Sequence, residues 1–139
     1  MGLSEVLGGL FGKKEETMES NIPFSIKTSL SPVRMTSHKT TSVDLNIKIK
    51  NLLSESNLTS IMIQMPKGMG LDQTGIARAK EIRLGYLSKG EEKELVIPVW
   101  GNVTTEPGDY KIGVEIFSHY RTYAYIQNSI KKIVELRVV

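Results

Sequence analysis

The chain has 139 residues, 40% of them apolar and 24% charged, with a formal net charge of +3. That is the size of one domain and the balance of an ordinary globular one, which excludes disordered and collagen-like chains. It contains no cysteine, so disulfides, thiolate nucleophiles and Cys-ligated zinc are excluded, and a chain this long buries a core without them.

Leu3, Val6, Leu7, Leu10 and Phe11 fall at helical spacing and predict a short amphipathic helix, started by Ser4 and Glu5 and ended by Gly12. Gly8 and Gly9 each cost that helix about 1 kcal/mol relative to Ala, so it needs something to pack on. Glu5 interrupts the apolar positions and Lys13-Lys14 follow them, the reverse of a secretory signal. Lys13 to Asn21 reads as a polar linker. Residues 1–21 are net negative, −2, which leaves +5 on residues 22–139.

From Pro23 the period becomes two. Phe24, Ile26, Thr28 and Leu30 alternate with polar residues up to Ser31-Pro32, where proline breaks a strand or marks an edge. Val43, Leu45, Ile47 and Ile49 alternate with Asp44, Asn46, Lys48 and Lys50, the pattern of a half-buried strand. Turn chemistry over 51–57 precedes a strand through Ile61, Ile63 and Met65. Residues 69–81 read as irregular. Alternation resumes at Ile82, Leu84 and Tyr86, then at Leu95, Ile97 and Val99, and after Pro107-Gly108-Asp109 at Tyr110, Ile112, Val114 and Ile116. A β-branched run from Ile130 to Val139 closes the chain.

About seven strands without intervening helices predict an all-β fold, an antiparallel β-sandwich over residues 22–139. No apolar run approaches the roughly 18 residues that span a bilayer. Lys48, Lys50, Lys111, Lys131 and Arg137 alternate with apolar residues, as on a solvated sheet face. No RNP-like or zinc-finger spacing accompanies them, so nucleic acid is not an expected partner.

Gly108-Asp109-Tyr110 ahead of an alternating strand resembles the tyrosine corner of immunoglobulin-like and fibronectin type III-like domains. The stretches Leu84–Glu91, Leu95–Val99 and Thr105–Val114 resemble the second half of CARDB and NEW3-type modules of prokaryotic chains. Val43–Asn51 is similar to their strand B ending in asparagine. The resemblance implies an immunoglobulin-like sandwich with a structural role for Tyr110; an arrestin-like sandwich is a second relative. Modules of this kind act in adhesion, scaffolding or ligand presentation, and the fold does not choose among these.

His38 and His119 are the only candidate neutral-pH bases. No nucleophile elbow, HExxH, Walker A or EF-hand spacing occurs, and Asp72, Glu106 and Asp109 lie in turns, so no enzyme, cofactor or metal site is expected. His119, Tyr120, Arg121, Tyr123 and Tyr125 form the densest unusual cluster. Tyr and Arg are favoured at binding hot spots, and the structural alternative is that Tyr123 and Tyr125 extend a strand with their rings over the sheet. Leu3, Val6, Leu7, Leu10 and Phe11 would dock on a partner, lie on a membrane surface with Lys13 and Lys14 near anionic headgroups, or fold back over the chain's own sandwich. Met1-Gly2 is followed by Val6 where myristoylation wants Ser or Thr, and the sequons at Asn57 and Asn102 are short chance-level matches. The expectation is a cytoplasmic, non-catalytic protein-interaction or adaptor module, peripheral at the membrane if the helix inserts. The alternatives are a self-assembling structural subunit and a carbohydrate- or peptide-binding module.

Overall fold

The computed structural model describes residues 24–139. They form eight strands in two packed sheets, with no helix among them. The expected N-terminal helix, with Leu3, Val6, Leu7, Leu10 and Phe11, lies outside the described residues.

One sheet has three strands, β1 (Phe24–Ser31), β3 (Thr41–Asn51) and β6 (Glu92–Gly101), in the order β1-β3-β6. The other has five: β2 (Arg34–Met35), β4 (Asn57–Gln64), β5 (Ala79–Leu87), β7 (Gly108–His119) and β8 (Ile126–Val138), in the order β2-β8-β7-β4-β5. The alternating residues of β3 explain its central place. Val43, Leu45, Ile47 and Ile49 are all buried while their neighbours face outward, and they pack on Ile61, Ile63, Ile112, Val114, Ile116, Val134 and Leu136 of the opposite sheet. Burying a side chain of this size contributes about 1.5–3 kcal/mol, so these facing rows hold the two sheets together.

Four features depart from the sequence pattern. The chain crosses between sheets after Ser31 and adds the two-residue β2, which runs parallel to β8, so the sandwich has eight strands and is not wholly antiparallel. Two residues carry no readable alternation. The strand expected through Met65 stops at Gln64, and Met65 instead closes the turn as its N–H donates to the Arg78 carbonyl. On β5, a bulge opposite Thr59 and Ser60, with Gly85 at φ +74°, inserts one residue. Alternation therefore breaks after Leu84, leaving Tyr86 exposed and Leu87 buried. β8 begins at Ile126, four residues before its apolar run, because the β7–β8 hairpin extends beyond the sandwich and its first residues are exposed.

Two polar side chains tie the loops. Buried Asn51 donates through Nδ2 to the carbonyls of Glu55 and Leu87, each at 2.9 Å, and its Oδ1 accepts the Leu53 N–H at 2.9 Å. It thereby joins the β3–β4 and β5–β6 turns. The Tyr110 hydroxyl donates to the Glu106 carbonyl at 2.7 Å, bracing the turn that enters β7.

Candidate interaction site at the β7–β8 hairpin

Cross-strand pairing fixes which face each residue of the five-stranded sheet occupies, since directly paired residues share a face. Ile61 pairs with Ile116 on the core side, so Ser60 with Phe117 and Leu58 with His119 lie on the outer side. Outer-face residues of a sheet are ordinarily solvated. Here Leu58, Ser60 and His119 are buried, and Leu58 stands apart from the main core cluster.

The segment Tyr120–Tyr125 supplies the cover. It leaves β7 at His119 and returns over the outer face before β8 begins. The Tyr123 ring meets the His119 ring edge-on at 5.1 Å, and the Arg83 guanidinium lies over the Tyr123 ring, 4.6 Å from its centroid. The Tyr123 hydroxyl accepts the Gly85 N–H at 3.0 Å, at the bulge of β5. Tyr123 is therefore bound to its own sheet at three points. It is a loop residue, and neither it nor Tyr125 extends a strand.

The rest of the cluster divides by exposure. Tyr120 is 47% and Tyr125 62% exposed, their rings in edge contact at 5.7 Å, and Arg121 lies over the Tyr120 ring at 5.0 Å. The tip is closed by the Tyr120 and Tyr125 backbones, with the Tyr120 N–H bonded to the Tyr125 carbonyl at 3.0 Å. Arg121 takes a left-handed φ of 70° to make that closure, a conformation costly for any residue but glycine or asparagine. Tyr86 and Ile126, exposed on flanking strands and in the same cross-strand row as His119, widen the apolar surface. Nothing in the sequence marks Arg83, Tyr86, Leu58 and Ser60 as members of this site. Their membership depends on strand pairing between segments far apart in the chain, for which single-sequence periodicity carries no signal.

Ser60 Oγ and His119 Nε2 are 2.6 Å apart, the separation of a nucleophile and its base. Ser60 is 1% exposed, however, and His119 Nδ1 has no hydrogen-bond partner among the described residues, so neither access nor an orienting acid accompanies the pair. His38 is exposed, at φ 55°, with Nδ1 3.2 Å from the Val103 carbonyl, a loop contact. Asp72 closes its own turn: its carboxylate accepts the Thr74 hydroxyl at 2.7 Å and the Gly75 N–H at 3.0 Å, and these bonds, Thr74 first, hold it below the usual carboxylate range. No group of three or more potential metal ligands occurs among the described residues. A shallow groove of ≈ 360 Å³ lies on the outside of the three-stranded sheet; its acid, Glu94, is paired with Lys48 at 3.2 Å.

No protein-family model matches this chain, and no curated protein matches it. Solved structures do. BslA, a bacterial hydrophobin, superposes with a TM-score of 0.51 and 15% identity over 84% of this chain and 93% of its own. MyfA, the major subunit of Myf fimbriae from Yersinia enterocolitica, gives 0.49 and 10% over 82% and 98%. The alkylpurine DNA glycosylase AlkC of Pseudomonas fluorescens, solved bound to DNA containing an abasic site analog, gives 0.49 and 12% over 87% of this chain. This chain spans about a third of that glycosylase, 32%. At these identities the likeness is one of fold, a β-sandwich, and assigns no activity.

Proposed function

We propose that this chain is a non-catalytic protein-interaction module that binds its partner through the tip of the β7–β8 hairpin. The observation that carries the reading is the division of labour among the tyrosines. Tyr123 is committed to the sheet, while Tyr120, Tyr125 and Arg121 stand exposed on a tip braced by that anchor. Rigid aromatic anchors beside an arginine lose little conformational entropy on binding, which is why such residues dominate hot spots. The anchoring of Tyr123 also leaves fewer free rings for sugar stacking, so a protein surface fits the tip better than a carbohydrate.

In this reading the module resembles CARDB and NEW3-type domains that present a loop from a rigid sandwich, and it acts in the cytoplasm. Leu3, Val6, Leu7, Leu10 and Phe11 supply a second contact, on the same partner or on a membrane surface. The test replaces Tyr125 of the full chain with a photo-crosslinking amino acid, identifies the captured protein, and measures its affinity after purification. Two hot-spot tyrosines at about 2 kcal/mol each predict a loss on the order of a thousandfold for the Tyr120→Ala/Tyr125→Ala variant. A purified partner that binds this variant as tightly as the native chain refutes the tip as the binding surface.

A further inference from the structure

We infer that the free edge of β5 is a pairing surface for a second copy of this chain, joining two five-stranded sheets into one continuous sheet across a two-fold axis. β5 ends its sheet, with no strand beyond it among the described residues. The Arg78 carbonyl accepts the Met65 N–H, so the backbone groups of Arg78, Lys80 and Ile82 point toward β4. Those of Ala79, Glu81 and Arg83 alternate with them and point outward. An antiparallel copy centred on Ile82 would exchange both backbone hydrogen bonds between Glu81 and Arg83 of the other copy, and again at the symmetry-related pair.

Charge selects this register. Glu81 and Arg83 share the outer face of β5, two residues apart, both exposed, and contact each other only loosely at 3.5 Å. Turned about Ile82, each Glu81 comes opposite an Arg83, giving two cross-strand ion pairs, while Ile82 meets Ile82 on the other face. Stacking on Tyr123 already fixes the Arg83 guanidinium, which reduces the ordering cost. The Tyr123 hydroxyl on the Gly85 N–H ends the pairing stretch.

The other edges fit a copy less well. β8 is occupied by β2 at Arg137 and Val138, and a symmetric pairing of its remaining edge, Ile126 to Leu136, centres on Lys131 and sets lysine against lysine. β1 carries Lys27 and no acid, and the edge of β6 is met by Gly70 at Trp100. This surface adjoins the hairpin through Arg83 and Tyr123 but includes none of the exposed tip residues Tyr120, Arg121 and Tyr125.

The experiment is sedimentation equilibrium on the full chain over a concentration series, with charge exchange. The native chain is expected to show a monomer–dimer equilibrium. Glu81→Arg and Arg83→Glu each place like charges opposite one another and weaken self-association about tenfold or more. An equimolar mixture of these two variants associates again, because each Arg then faces a Glu, and so does the double exchange within one chain. Thermal melts confirm that each variant folds. A native chain that stays monomeric to its solubility limit overturns the proposal. So does a dimer that ignores both single exchanges, or one that the mixture does not restore.

Discussion

Tyr123 offers the sharpest test of how the hairpin is held. Tyr123→Phe deletes only the hydroxyl that accepts the Gly85 N–H at 3.0 Å. That N–H lies at a sheet edge, where water replaces part of the loss, so the cost belongs at the low end of a hydrogen bond, about 0.5–1 kcal/mol. Tyr123→Ala also deletes the edge contact with His119, worth about 0.5–1.5 kcal/mol, and the guanidinium contact with Arg83, about 0.5–1 kcal/mol. It further uncovers Leu58, Ser60 and His119 on the outer face. The expected total is about 3 kcal/mol, or roughly 12 °C in Tm at about 4 °C per kcal/mol for a domain of this size. Urea denaturation of both variants gives the two values, and a shared m-value confirms that only stability has changed. If Tyr123→Ala costs no more than Tyr123→Phe, the ring does not cover the outer face and the anchoring argument fails.

Asn51→Ala leaves the buried Leu87 carbonyl without its side-chain donor and frees two turns at once; about 2–3 kcal/mol should be lost in chemical denaturation. Tyr110→Phe should cost about 1 kcal/mol through loss of the bond to the Glu106 carbonyl, with exchange protection falling first in the turn entering β7. Asp72 is ionised and hydrogen-bonded in the fold with its pKa lowered. Its contribution is therefore present above the unfolded carboxylate value and lost as pH falls through the folded one. Amide protection at Gly75 should decline over that acid range in the native chain, and Asp72→Asn, which keeps the carbonyl acceptor, should flatten the decline.

The apolar alternation of Val43 to Ile49 and of Ile112 to Ile116 was sufficient to read two half-buried strands and hence two packed sheets. Periodicity is a local property, and burial on one face imposes it residue by residue. Turn chemistry at Pro107-Gly108-Asp109 announced the strand that follows, but Gly108 and Asp109 already pair with Val138 and Arg137, so β7 starts two residues before Tyr110. The same reasoning picked out His119, Tyr120, Arg121, Tyr123 and Tyr125 as a group, but it could not divide them. Which tyrosine is an anchor and which is free depends on Arg83 and Gly85, some 40 residues away in sequence and brought alongside by the pairing of β4 with both β5 and β7.

Local pattern carries the class of fold, the approximate span of most strands and the composition of the hairpin tip, because propensity, alternation and turn residues act over a few neighbours. The strand order, the parallel seam of β2 on β8, the burial of Leu58 and His119 on an outer face, and the edge of β5 that no strand meets among the described residues all come from the folded arrangement. Those features arise from pairing between distant segments, whose energy is shared across the sheet and leaves no periodic mark on either segment alone.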